Sequence, residues 1–219
     1  MKNLFIVANW KENKTVDSAI KFLEEFKTAL TPREDITTVI CPPFTLVPMV
    51  SEFIKTNNLS IEVGVQNISS FEEGAHTGEI SAAQAAEFAS YVIVGHSERR
   101  AIGETDDVVA RKSSNATAAR LTPILCVQGG TTPVPPGVKL VAYEPVEAIG
   151  TGNPDTPGNA QKVAAAIKEK NSGVVSVLYG GSVTSENVIN FTNMPDISGV
   201  LVGSSSLDPY EFSSIIKNA

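Results

Sequence analysis

Eight short runs rich in β-branched and other apolar residues punctuate the chain, and they constrain its fold more than any other feature. They are LFIVAN from residue 4, ITTVIC from 36, SIEVGV from 60, YVIVGH from 91, TPILCV from 122, KLVAYE from 139, VVSVLYG from 174 and GVLVG from 199. The runs are near-continuous rather than alternating, as in strands covered on both faces, and this points to a parallel sheet. Between them lie helical periods over 16–30, 45–56, 81–90, 105–120, 157–170, 185–193 and 209–218. Two of these open on good start signals. Thr156 precedes Pro157, and Asp208 precedes Pro209 with Glu211 at capping-box spacing.

Successive strand starts are 32, 24, 31, 31, 17, 35 and 25 residues apart, close to a repeating strand-plus-helix unit with one exception. The exception is the fifth connection, where QGGTTPVPPGV (128–138) is broken by Gly and Pro and has no helical period. A parallel return needs about a dozen residues, so this segment can cross as an extended loop with its helix missing or reduced. Eight parallel strands with return helices close most economically into a (β/α)₈ barrel. The expected organisation is one domain over 1–219, shorter than the usual barrel of about 250 residues. A doubly wound open sheet is the alternative, but it would carry a Gly-rich fingerprint after the first strand, and this strand ends in ANWK.

The 24 acidic residues outnumber the 17 Lys and Arg, a net charge of −7, which argues against nucleic acid and anionic membranes as partners. An anionic substrate would need a local positive group. The first apolar run is too short for a signal h-region or a membrane span, so a cytoplasmic location is expected. Cys41 and Cys126 sit in apolar company and read as buried reduced thiols. No His, Cys and Asp cluster has metal-ligand spacing, so no metal is expected.

In a barrel the chemistry sits at the C-terminal strand ends. Those ends carry Asn9 and Lys11 after the first strand, His96 and Glu98 after the fourth, Glu144 after the sixth, and the Gly/Ser turns YGGS and VGSSS after the last two. Each has a plain reading: a solvated lysine, a hydrogen-bonded histidine, or a helix start in GHSERR with Ser97 as cap and Glu98 in the first turn. Under the barrel hypothesis, however, they converge on one rim.

The ordered set NWK, VGHSERR, AYEPVEAIGTG, YGGSV and LVGSSSL resembles the triosephosphate isomerase family over nearly the whole chain. The short length and the wording EGAHTGEIS and PVEAIGTG look most like the family's compact archaeal branch. The resemblance implies a TIM barrel that interconverts dihydroxyacetone phosphate and glyceraldehyde 3-phosphate without a cofactor. Glu144 would be the base and Pro145 would fix the strand end. His96, neutral at a helix N-terminus as in the worked example of this family, would polarise the substrate oxygens and shuttle the proton. Lys11 would hold the phosphate and stabilise the oxyanion, with Asn9 donating and Glu98 pairing with Lys11. Gly150, Ser182, Gly203 and Ser204 would bind phosphate. A second glycine is usual where Ser204 stands; serine keeps the amide but restricts the backbone.

By the same resemblance PVEAIGTGNP is a lid, latched by Tyr179, with Glu147 where tryptophan is usual and read as solvent-facing. Thr77, in EEGAHTGE (72–79), would insert into a neighbouring subunit, giving a homodimer, with a homotetramer as the larger alternative. Three rivals remain. A serine hydrolase built on Ser97 lacks a G-x-S-x-G elbow. A Schiff-base aldolase would want its lysine desolvated within a strand. A silent metabolite-binding barrel would be expected to have lost Glu144 or His96 first.

Overall fold

The computed structural model describes residues 3–146 and 154–219. The strands are β1 (Leu4–Asn9), β2 (Ile36–Cys41), β3 (Glu62–Val65), β4 (Tyr91–Val94), β5 (Thr122–Val127), β6 (Leu140–Tyr143), β7 (Ser176–Tyr179) and β8 (Ile197–Val202). They pair in parallel and in sequence order, and β8 returns to β1 to close the barrel. The helices are α1 (Val16–Ala29), α2 (Val47–Thr56), α3 (Ala82–Ala86), α4 (Ser97–Ala101), α5 (Asp106–Ala118), α6 (Pro157–Lys170), α7 (Val188–Thr192) and α8 (Pro209–Asn218).

Alternation along the strands sorts the core into two layers. Val7, Val39, Cys41, Ile93, Ile124, Cys126, Leu140, Ala142, Leu178 and Leu201 form one buried cluster, which fills the barrel. The opposite strand faces pack under the helices in a second, larger cluster. There a ladder of aromatic rings, Trp10–Phe22–Phe26–Phe212, with centroids 4.9, 5.5 and 5.3 Å apart, ties the β1 end to α1 and α8. Such pairs contribute about 0.5–1.5 kcal/mol each beyond their buried area. The period of two also aims the site. Asn9 follows Val7 on the inner face and Glu144 follows Ala142, so both side chains emerge at the C-terminal mouth.

Several elements differ from their sequence reading. The expected helices over 81–90 and 185–193 shorten to α3 and α7. At α7 the residues 184–187 form a side-chain-bonded loop instead, with Thr184 N–H donating to Asn187 Oδ1 at 2.9 Å. The last strand begins at Ile197, two residues before the run GVLVG, because Ile197 and Ser198 are buried. Two helices stand between β4 and β5: α4 at the start read in GHSERR, and α5 within the period over 105–120. The Asp208 capping box is half formed: its side chain accepts from the N–H groups of Tyr210 and Glu211, while the Glu211 carboxylate leaves the helix for Ser185.

The crossover 128–138 carries no helix. Thr132 turns it through its N–H to Gly129 O and its hydroxyl, which accepts from Gln128 N–H, and Lys170 of α6 donates to Gly130 O at 3.0 Å. β5 and β6 still pair over four residues, from Ile124–Leu140 to Val127–Tyr143. Pairing in the barrel therefore needs only the reach of the loop. Cys41 and Cys126 are free and buried.

Candidate active site

At the C-terminal mouth a cavity of about 480 Å³ is lined by Asn9, Lys11, His96, Glu144, Ser182, Gly203 and Ser204, together with Trp10, Gly180, Gly181 and Thr184. Asn9, His96 and Glu144 are nearly fully buried, Glu144 at 1 % exposure. The charge is local. Among the described residues Lys11 is the one Lys or Arg lining this cavity in an acidic chain.

The β4 end builds the imidazole's state. Gly95 takes φ +71°, and His96 then stands at the N-cap of α4. Its ring replaces the usual cap oxygen: Nδ1 accepts from Glu98 N–H at 3.2 Å. Ser97 is therefore not the cap. A nitrogen that accepts from a backbone N–H carries no proton, so the ring is neutral with hydrogen on Nε2. Nε2 lies 3.1 Å from Glu144 Oε1. Glu144 Oε2 accepts from Ser97 N–H at 2.9 Å, and the Cys126 thiol stands beside the same carboxylate. Burial first, then the Glu144 charge, push the Cys126 thiol well above its usual pKa.

Lys11 is held from two directions. Its Nζ meets Glu98 Oε1 at 2.5 Å. Its backbone sits at φ +50°, a left-handed conformation that costs a lysine about 1–3 kcal/mol. Asn9 Oδ1 accepts from Lys11 N–H at 3.1 Å, and Gln66 Nε2 donates to both Lys11 O and Cys41 O at 2.9 and 3.0 Å. Gln66 and Cys126 escaped the sequence reading. The signal available was position alone: Gln66 follows β3 and Cys126 lies inside β5, two residues from the barrel mouth.

The far rim is made by glycines and serines. A Cβ on Gly180 would stand 3.1 Å from Glu144 Cγ, and one on Gly203 3.8 Å from Lys11 Cε, so both turns run close to the polar groups. Ser204 opens a 3₁₀ turn over Ser204–Ser206 and is not among the positive-φ residues. Serine thus fits the backbone there. Tyr179 is buried against Phe191, with rings 3.9 Å apart, and its hydroxyl accepts from Asp155 N–H at 2.8 Å. Tyr143 donates to the Asp155 carboxylate at 3.2 Å.

Pro145 follows Glu144 at the edge of the cavity, half-buried. Glu147 and Gly150 lie outside the described residues, with most of the segment read as a lid. Thr77 is exposed in the loop after β3 and is not part of the cavity lining.

Moving a proton on a small anionic molecule is the chemistry such a rim supports, so the chain is a barrel enzyme of the acid–base class. Comparison with known proteins narrows this further. The family model described as triosephosphate isomerase matches residues 4–133 and 137–219, and the chain belongs to the triosephosphate isomerase family. A triosephosphate isomerase of Endomicrobium trichonymphae is 38% identical over 250 aligned positions, covering 99% of each chain. One from Synechococcus sp. (strain JA-3-3Ab) is 40% identical over 246, covering 99% of this chain and 95% of its own. The crystal structure of triosephosphate isomerase from Bartonella henselae superposes with a TM-score of 0.84 at 29% identity, covering 99% of this chain and 98% of that one.

Proposed function

We propose that the chain interconverts dihydroxyacetone phosphate and D-glyceraldehyde 3-phosphate through an enediolate, with Glu144 as the base. The observation that carries this reading is the close approach of His96 to Glu144 at the mouth of the barrel, with Nε2 3.1 Å from Glu144 Oε1. A substrate bound between them can take the Nε2 hydrogen on its carbonyl oxygen while its neighbouring carbon faces the Glu144 carboxylate.

Glu144 then removes the proton from that carbon, His96 moves a proton between the two oxygens, and protonated Glu144 delivers a proton to the adjacent carbon, which regenerates the carboxylate; a positioned base of this kind contributes about 10²–10⁴-fold. Lys11 offsets the charge that develops on the oxygens, and Asn9, whose Oδ1 is engaged with Lys11 N–H, offers its amide hydrogens to the substrate. The phosphate goes to the turns after β7 and β8, at Ser182, Gly203 and Ser204, with Gly150 completing the set. The Asp155 backbone bond to Tyr179 anchors the chain just beyond the lid segment, in keeping with a latch. Because Nδ1 accepts from Glu98 N–H, the ring works as a neutral acid, without an imidazolium stage.

A homodimer with the Thr77 loop inserted beside the partner's site accompanies this reading, a homotetramer being the larger alternative. Sedimentation decides it, since a fully active monomer would refute the inserted loop. A cytoplasmic setting is part of the same proposal. Among the described residues no helix is long and apolar enough to cross a membrane. A place in the compact archaeal branch rests on the 219-residue length and the loop wording; the relatives compared above are bacterial, and against the first of them the alignment runs over 250 positions. The activity is checked by a coupled spectrophotometric assay of purified protein in both directions. Absence of turnover would sink it.

A further inference from the structure

We propose that Glu211 is the positioning residue for the anion-binding rim: it braces the loop after β7 onto the helix after β8, and so fixes the phosphate-facing groups of Ser182–Thr184. The inference rests on the isomerase reading above for the identity of the anion.

The sequence Asp208-Pro209-Tyr210-Glu211 looks like a capping box, in which Glu211 would reach back to the N-cap amide. The structure uses the residue differently. Asp208 Oδ1 alone takes the N–H groups of Tyr210 and Glu211, at 3.0 and 2.8 Å. The Glu211 carboxylate instead crosses to the neighbouring loop, accepting from Ser185 N–H at 2.7 Å and from Ser185 Oγ–H at 2.8 Å. Asn218, at the last position of α8, donates to Ser185 O at 2.9 Å. Every backbone polar group of Ser185 is therefore held by α8.

From Ser185 the restraint passes inward. Thr184 N–H donates to Asn187 Oδ1 at 2.9 Å and Asn187 Nδ2 donates to Ser182 O at 3.2 Å. Ser182, Val183, Thr184 and Asn187 all line the cavity, while Glu211 and Ser185 do not. Glu211 thus touches no part of the site. It joins the two rim segments that lie on either side of it, the β7 loop and the Gly203–Leu207 turn leading into α8. Two charge-assisted bonds to one half-buried carboxylate are strong enough to set a loop. A supporting shell of this kind decides whether donors sit within about 0.5 Å of the productive position.

The test measures inorganic phosphate as a competitive inhibitor and as a directly titrated ligand, for the parent, Glu211→Leu and Glu211→Gln, with melting curves as the control for folding. Glu211→Leu is expected to weaken phosphate about tenfold and raise KM by a similar factor, with kcat changed less, because a uniformly lost binding interaction appears in KM. Glu211→Gln keeps an acceptor for Ser185 N–H and is expected to recover most of the loss. If Glu211→Leu does not fold, Ser185→Ala serves instead, with a smaller loss of phosphate affinity expected from the one bond removed. Equal phosphate affinity in parent and variants, or a loss confined to melting temperature, overturns the brace. A parent that turns over triose phosphates but shows no competition by phosphate overturns it too. A parent that turns over nothing and binds no phosphate instead removes the isomerase reading on which the brace rests.

Discussion

Lys11→Met isolates the one Lys or Arg that lines the cavity among the described residues from the fold that presents it. A unit charge about 4 Å from another at an effective dielectric near 20 contributes about 4 kcal/mol. The Lys11 side chain is 29 % exposed, so solvent screening lowers this to about 2–4 kcal/mol, or roughly 30- to 1000-fold in kcat/KM. The stability effect should be small. The ion pair with Glu98 is open to water, its carboxylate 58 % exposed, and such pairs are worth about 0–1 kcal/mol. Methionine at φ +50° suffers the same backbone strain as lysine, so nothing is relieved. The assay is kcat/KM for glyceraldehyde 3-phosphate at several ionic strengths, beside a thermal melt. The parent should lose activity with added salt more steeply than the variant. A folded Lys11→Met within threefold of the parent would refute the electrostatic argument.

Other consequences can be checked independently. Gly199 has φ +138° and a Cβ there would run into the backbone of Phe5 on the paired strand; Gly199→Ala should destabilise by about 3 kcal/mol or more in urea, or prevent folding. Cys126 is buried and its thiol raised well above the usual range, so a thiol reagent at pH 8 should label it only as fast as the protein opens, and rapid labelling of the native protein would contradict the placement. Tyr143 and Tyr179 are pushed up to about 12, chiefly by burial, from 10.0. The folded state holds those protons more tightly, so this contribution to stability is whole below pH 10 and is lost as pH rises from about 10 to 12; burial and then the Glu62 charge raise Tyr91 too, so ultraviolet titration should show three of the four tyrosines ionising late.

The barrel was legible because strand burial on both faces leaves a mark in composition, and the spacing of those marks fixed both the strand count and the absent fifth helix. Glu144, His96 and Lys11 were legible because strand ends are where polar residues interrupt apolar runs. The remainder depended on contacts distant in sequence. Nothing in GVQN shows that Gln66 will reach back to Lys11 O, and nothing in PILCV places the Cys126 thiol on Glu144. Local signals also misled where two partners competed. Glu211 has the spacing of a capping box, yet Asp208 alone takes the amides and releases it to Ser185. His96 displaced Ser97 as helix cap because its ring nitrogen reaches Glu98 N–H first. The helix over 185–193 was overestimated because helical period continues into residues whose side chains make loop bonds instead.

The most direct measurement is turnover of dihydroxyacetone phosphate in deuterated water, followed by magnetic resonance, for the parent and for Glu144→Gln. The glutamine can still accept from Ser97 N–H, so the fold should be retained while the base is gone. Proton abstraction by Glu144 predicts carbon-bound deuterium in the parent's glyceraldehyde 3-phosphate and a loss of about 10²-fold or more in the variant. Product free of deuterium, or a folded Glu144→Gln that turns over at the parental rate, would contradict the assignment of Glu144 as the base.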